Sequence, residues 1–425
     1  MKKMLFGCLL TGAMLLVGCG VNEEAPAYQK AATSTTAISP GSDAGNIIPG
    51  QYIVQINPEL IQSAKAQLGQ AEFSSREAKA EKMLELMAEI EKDLDLWLSR
   101  YDLGETEVLH KYTAAMVGAA LKIDDDKYEL IRQDKDLISI EHDRMEKLPE
   151  FTIESIDREG SSRAQTTPCG INNAGGFVNA NTSRWIWIID SGIDLDHPDL
   201  NVVTNSTYAR SFVGGNANDC NGHGTHVAGT AAARNNSIGV VGVAAGAPVV
   251  PVRVFGCSGG SATSTIVNGI NHVAVYDLPG DVANLSLGGY YGSNCANNSS
   301  YRSSLQSLGN AGTWIAIASG NSLSPANLYQ PACVNGNRIY TITNMRCNRT
   351  YYNASTGGNY GRPPVDFIAT GTSVYSTYRN GGYATLTGTS MASPHAAGIM
   401  QVRNAAPRGI GSVSYLGVSY PIARR

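Results

Sequence analysis

Three short stretches hold residues that could together run nucleophilic chemistry. Gly388-Thr389-Ser390-Met391-Ala392-Ser393-Pro394-His395 lies between the turn Asn380-Gly381-Gly382 and the apolar helical run Ala396 to Val402, which puts Ser390 at the mouth of a helix. The first-turn N–H groups of a helix have no intrahelical partner, so the position favours negative charge, including the oxyanion formed when a serine attacks a carbonyl. A plain Ser N-cap has the same local pattern. Two upstream stretches decide between the readings. Trp185-Ile186-Trp187-Ile188-Ile189-Asp190-Ser191-Gly192-Ile193 reads as a buried parallel strand delivering Asp190 at its C-terminal end, where open α/β sheets place their sites. In Asn221-Gly222-His223-Gly224-Thr225-His226, glycines flank a histidine at the start of an Ala-rich helical run. Asp190, His223 and Ser390 thus offer an orienting carboxylate, a general base and a nucleophile, each at an element boundary.

These residues resemble the subtilisin-like serine proteases (subtilases), most closely the proteinase K and aqualysin branch. A fourth block, Ala318-Ser319-Gly320-Asn321, matches as well. An α/β-hydrolase would need a G-x-S-x-G elbow followed by acid and then histidine, and neither holds. The resemblance implies that Asp190 holds the His223 imidazole through Nδ1–H, that Nε2 takes the Ser390 proton, and that the Asn321 amide and the Ser390 N–H meet the oxyanion. It also implies a substrate laid as an added strand between Ser258-Gly259-Gly260 and Ser286-Leu287-Gly288-Gly289, with Ala318, Ser319 and Gly320 beside the S1 pocket. No acid lines that wall, so cleavage after apolar or aromatic residues is expected, with broad specificity. The expected function is a secreted, autoprocessed serine endopeptidase working through an acyl-enzyme. A catalytically silent binding or scaffold protein, or a specific maturation protease or ligase on the same scaffold, are the alternatives. Asp194, Asp196 and Asp199 read as turn and surface residues, and His223-x-x-His226 lacks the glutamate of a zinc motif.

The elements that must position these residues follow from the rest of the chain. Its 425 residues suffice for two or three domains with a sizeable core. Residues 1–165 carry 18 Lys and Arg against 28 Asp and Glu, net −10, whereas residues 166–425 carry 14 Arg against 8 Asp, net +6. Two pieces of opposite sign point to association with each other. The arginines are scattered and form no nucleic-acid reader. Lys2-Lys3 and the apolar Met4 to Val17 form an export signal over 1–19. Leu16-Val17-Gly18-Cys19 resembles a bacterial lipobox, which implies lipidation at Cys19 and a cell-envelope location until processing; ordinary signal cleavage and secretion are the alternative. Residues 20–46 read as a linker. Residues 47–146 form a small α+β segment, with a strand over Gly50–Ile56 and a helix over Ala78–Leu98. Its later part resembles an inhibitory propeptide, so a prodomain acting as intramolecular inhibitor is expected. Residues 147–163 read as a processing linker cut just before Ala164, whose surroundings resemble a mature N-terminus. Over 164–425, short apolar runs alternate with helical ones. The fold expected is α/β, a doubly wound, mostly parallel sheet preceded by the prodomain, in a monomer. Beyond Pro407 the resemblance fades, and no final helix is evident.

Six cysteines follow Cys8 and Cys19, an even number in an exported chain, which argues for disulfides over metal ligation. The resemblance implies Cys220–Cys257; Cys333–Cys347 is favoured next, leaving Cys169 and Cys295. No cofactor is required for the chemistry. The resemblance also implies a structural calcium at Asp366 with carbonyls near Pro331.

Overall fold

The computed structural model describes residues 46–57, 73, 75–158, 164–292, 295, 299–354 and 356–425. The export signal, Cys8, Cys19, nearly all of the 20–46 linker and Arg163 lie outside the described residues.

The first part of the fold is built from β1 (Ile47–Ile56), α1 (Arg76–Ser99), β2 (Val108–Tyr112), β3 (Gly118–Lys122), α2 (Asp125–Ile131) and β4 (Leu137–Lys147). The Ser75 hydroxyl opens α1 by accepting from the Ala78 N–H at 3.2 Å, an N-cap. The strands form an antiparallel sheet in the order β4-β1-β3-β2, with Val54 opposite both Ala119 and Ile140. Because strand side chains alternate, Val54, Ile56, Leu121 and Ile140 point to α1 and bury Leu94, Trp97 and Leu98. The opposite face presents Ile53, Tyr112, Met116 and Ala120 to Val267 of the later domain. Within the expected processing linker 147–163, Lys147 ends β4 and Thr152–Asp157 form a strand, β5, while residues 159–163 lie outside the described residues.

The later domain contains β6 (Ile186–Asp190), α3 (His223–Ala232), β7 (Pro248–Arg253), β8 (Gly260–Ala262), α4 (Thr263–Tyr276), β9 (Val282–Leu285), α5 (Ser300–Ala311), β10 (Trp314–Ala318), β11 (Ile339–Met345), β12 (Val365–Thr370), β13 (Val374–Tyr378), β14 (Gly382–Thr387) and α6 (Thr389–Arg403). A hairpin of β15 (Arg408–Tyr415) and β16 (Val418–Arg424) closes the chain. The main sheet runs β15-β16-β12-β11-β10-β9-β6-β7, with two short strands also on β7, and every pairing but β15–β16 is parallel. Every residue of β6 is buried, as a strand covered on both faces requires. Alternation sends Ile186 and Ile188 to α3 and α6, where they meet Val227, Ala228, Ala396 and Met400. Trp187 and Ile189 go to α4 and α5, where they meet Ile266, Ile270, Val273 and Leu305. The sheet is therefore doubly wound, as expected. Where a final helix was not evident, β15 and β16 extend the sheet edge instead.

Cys220 and Cys257 are bonded, with Cα atoms 5.0 Å apart. The other two pairings differ from expectation: Cys169 joins Cys347 and Cys295 joins Cys333. Cys333 precedes β11 and Cys347 follows it, so a seven-residue strand of about 23 Å holds them apart. Cys169 opens a short helix whose last residue, Asn173, donates its side-chain amide to the Cys347 carbonyl at 2.9 Å, holding the two segments together.

The prodomain docks by donating anions and cations at different places. Glu141 accepts the Ser300 N–H at 2.9 Å, and Asp143 accepts the Ser264 N–H at 3.0 Å, so each caps the start of a later-domain helix. At the start of α1 the polarity reverses. Arg76 forms a bidentate pair with Asp281 and lies 3.7 Å from the Trp185 ring centroid, while Lys79 pairs with Asp277. Breaking a buried pair costs roughly 3–5 kcal/mol when the remaining charge is orphaned. Asp281 keeps donors from Trp185 N–H, Trp187 Nε1 and Leu278 N–H, so the cost here should lie at or below the low end. Arg76→Ala in a full-length Ser390→Ala background should lower the melting temperature by several degrees; an unchanged value would show that this contact adds nothing to docking.

Candidate active site

Asp190 ends β6 at the C-terminal edge of the sheet and is fully buried. Its Oδ1 accepts the Ser191 N–H at 2.7 Å and lies 2.8 Å from His223 Nδ1, which donates to it. His223 is the first residue of α3, preceded by Gly222 at φ +107°, where a Cβ would fall 2.3 Å from the Tyr378 ring. The loop before it is tied by a residue the sequence reading passed over. Asp219 accepts the N–H groups of Asn221, Gly222 and Thr225 and the hydroxyls of Ser191 and Thr225. Burial pushes its carboxyl up from the usual range, and the donors on Thr225, Gly222 and Asn221 oppose that shift. Its signal was an acid three residues ahead of the Gly-His turn. His223 Nε2 is buried with no hydrogen-bond partner among the described residues, and the Phe151 ring lies 4.9 Å from the His223 ring.

Ser390 is the second residue of α6, and its hydroxyl donates to the Ser286 carbonyl at 3.3 Å. Four residues on, Pro394 lacks the N–H that would bond the Ser390 carbonyl. Ser286 Oγ donates to that carbonyl instead at 2.9 Å, while accepting from Asn284 Nδ2. Asn321 is aimed by Thr389, whose N–H and hydroxyl both donate to Asn321 Oδ1 at 2.8 Å. This leaves Asn321 Nδ2 to donate to the Glu150 carbonyl at 2.7 Å. A Cβ on Gly388 would come 2.9 Å from that Nδ2, so glycine keeps the space open.

The expected substrate segments surround the prodomain strand. Gly260 pairs with Lys147, and the Leu148 N–H donates to the Gly259 carbonyl at 2.9 Å, immediately past Ser258. Leu287 shares a core cluster with Leu148. Gly288 faces Gln330, and Gly289 faces Glu146. Ala318 and Ser319 are buried, the Ser319 hydroxyl donating to the Asn359 carbonyl, and a Cβ on Gly320 would meet Asn359. Asp194 and Asp199 are not surface residues as expected. Asp194 accepts the Gly381 N–H, and Asp199 accepts the Val240 N–H, Asn236 and Tyr383; both tie remote loops together, while Asp196 is exposed. His226 is buried, its Nε2 donating to the carbonyls of Val374 and Ala384, and burial drives its pKa down to about 3. It is a neutral structural residue.

Asp366 lies on β12, away from Ser390 in the chain and in the sheet, and accepts the Thr341 N–H. Burial raises its pKa to about 6. Among the described residues no group of three His, Cys, Asp or Glu forms a metal cluster. Calcium takes six to eight oxygens, so a site here would rest on one carboxylate and backbone carbonyls.

Comparison with known proteins adds to this geometry. The model of the subtilase family matches residues 184–410, and that of the peptidase inhibitor I9 family matches residues 51–149. The chain is 31% identical over 394 residues to an extracellular serine proteinase of Thermus sp. (strain Rt41A), covering 92% of this chain and 87% of that protein. It is 33% identical over 335 residues to M-protease of Shouchella clausii (strain KSM-K16), covering 77% and 78%. A crystal structure of a cold adapted subtilisin-like serine proteinase aligns at 32% identity and a TM-score of 0.44, over 53% of this chain and 76% of that one.

One pH dependence follows from the prodomain strand. Glu146 is buried beneath Tyr291 and Thr263, whose hydroxyls bond it, and burial raises its pKa to about 7 despite them and nearby Arg144. Burial also raises Glu141 and Asp143. A carboxyl with a raised folded pKa binds its proton longer when docked than when free, so docking is strongest below about pH 4.5 for Glu146 and weakens as pH rises toward 7. In a full-length Ser390→Ala background, the fall in melting temperature between pH 5 and pH 8 should be smaller with Glu146→Gln; an equal fall would assign the effect to other groups.

Proposed function

Because this chain belongs to the subtilase family and carries an I9 inhibitor domain ahead of its catalytic domain, we propose that Asp190, His223 and Ser390 are its working triad. The chain is a serine-type endopeptidase: it acts on proteins, and its prodomain is an intramolecular inhibitor. The observation that carries the triad is the pairing of the 2.8 Å His223–Asp190 bond with an Asn321 amide already 2.7 Å from a peptide carbonyl. In our reading, Asp190 fixes the tautomer of His223 that leaves Nε2 as base, Ser390 attacks, and the acyl-enzyme is then opened by water. The Asn321 amide and the Ser390 N–H at the start of α6 hold the oxyanion. Substrate pairs its main chain with Gly259 and Gly260 and runs beside Ser286 to Gly288, which tolerates many sequences. Neutral, small walls at Ala318 and Ser319 favour broad cleavage after apolar or aromatic residues.

Export is also part of the reading, supported by the extracellular name of the Thermus relative and by the charged, apolar leader; so is lipidation at Cys19. Calcium at Asp366 would remove the cost of that buried carboxylate. If it binds there, chelator should lower the melting temperature and Asp366→Asn should abolish the difference.

Ser390→Ala should abolish casein hydrolysis and self-processing, with kcat lower by about 10⁶, a figure that comes from the corresponding change in a subtilisin. Asn321→Ala should lower kcat by about 10² to 10³ with little change in KM; that figure too comes from a subtilisin. Hydrolysis of casein and a small peptide by the variants measures both, and an active Ser390→Ala enzyme would overturn the assignment.

A further inference from the structure

The prodomain does not stop at the active site; the chain passes through it. Upstream of Ser390, residues 145–147 pair with β8, and the Leu148 N–H donates to Gly259. Downstream, β5 pairs with β14, running from Thr152 opposite Thr387 to Asp157 opposite Tyr383. The Tyr375 hydroxyl donates to Asp157, and the hydroxyls of Ser373 and Thr387 donate to Glu154. Between the two paired stretches the Glu150 carbonyl receives the Asn321 amide, and Phe151 lies against His223. The bond that follows that carbonyl is Glu150–Phe151.

The expected cut before Ala164 would fall at a different place from this bond. Antiparallel pairing along β14 carries Asp157 about 20 Å from Phe151. Ala164 is bridged to Ile238, the Gln165 N–H donates to the Ser237 carbonyl, and the Thr166 N–H donates to the Gly239 carbonyl at 2.7 Å. The amino end of the catalytic domain is therefore held on another segment, away from Ser390.

We propose that Glu150–Phe151 is the first bond this chain cuts, within its own molecule, and that residues 151–163 remain attached afterwards, their Thr152–Asp157 strand still lying across the leaving-group side of the cleft, to be removed by a second cut made by another copy. The inference rests on the protease reading above. Ser390 Oγ adds to the Glu150 carbonyl carbon as its proton passes to His223 Nε2. The Glu150–Phe151 C–N bond breaks, and that proton goes to the Phe151 nitrogen. Water then hydrolyses the Ser390–Glu150 ester, releasing a Glu150 carboxylate and restoring the serine. A glutamate outside the expected apolar preference is accepted here because tethering supplies a very high effective concentration. Both products stay paired to the enzyme, one through β8 and one through β14, so the first cut does not clear the cleft.

The test is a time course of the full-length wild-type chain, diluted over a hundredfold range, followed by intact mass and N-terminal sequencing, with casein hydrolysis measured alongside. A first product beginning at Phe151 is expected, at a rate independent of concentration. A later product beginning near Ala164 should form faster at higher concentration, and casein hydrolysis should rise with it. Phe151→Pro removes the scissile N–H and should slow the first cut by about 10² or more. Active wild type whose first new N-terminus is Ala164, or a Phe151→Pro chain that matures at the wild-type rate, overturns the proposal and leaves the protease reading intact. Folded wild type that neither cuts itself nor hydrolyses casein overturns the protease reading, and this inference with it.

Discussion

The site depends on a buried helix that begins inside the protein. From Thr389 to Gln401, α6 has no exposed residue, so its free first-turn N–H groups cannot turn to water. Asn321 takes the Thr389 N–H, and the same side chain then has only one amide group left to aim, at the space in front of Ser390. Pro394 frees the Ser390 carbonyl, and Ser286 satisfies it. A structural debt of the helix is thus met by the residues that surround the nucleophile. The resulting preorganisation needs no rearrangement when charge develops.

The same logic extends to the other side of the cleft. β6 delivers Asp190 from a strand buried on both faces, and Asp219 gathers five donors to hold the turn before His223. Neither carboxylate is near the surface, so both hold geometry through hydrogen bonds and not through long-range charge. The cleft itself is a gap between strands, filled in this form by the chain's own residues. β8 completes the prodomain sheet, and β5 completes a small sheet with β13 and β14. One continuous segment therefore pairs on both sides of the nucleophile.

Net charge anticipated the association of the two parts but not its mechanism. The prodomain is acidic and the catalytic part basic, yet two buried ion pairs between them, Arg76–Asp281 and Lys79–Asp277, have the opposite polarity. The prodomain acids Glu141 and Asp143 go to the starts of α5 and α4 instead. Backbone dipoles, which composition does not count, provide that complement.

Much of this was legible from residue order alone. An unbroken apolar run ending in Asp190, a Gly-flanked His223 and a helix opening at Ser390 are local patterns, and local backbone preferences suffice to place each at the end of its element. The alternation of strands and helices likewise carried the doubly wound sheet. Pairings between distant segments were not legible. Cys169 meets Cys347, and not the cysteine expected, because β11 spans the distance that would have separated Cys333 from Cys347. Asp194 and Asp199 looked like turn residues because their sequence is polar; they are buried where remote loops bring N–H donors to them. The stretch 147–163 looked like a linker because its strand has no partner nearby in sequence; β14, more than 200 residues on, provides one. Sequence alone determined which chemical groups stand at element ends, since that follows from neighbours in the chain. Only the tertiary structure decided which distant groups satisfy each other, and hence which peptide bond lies before Ser390.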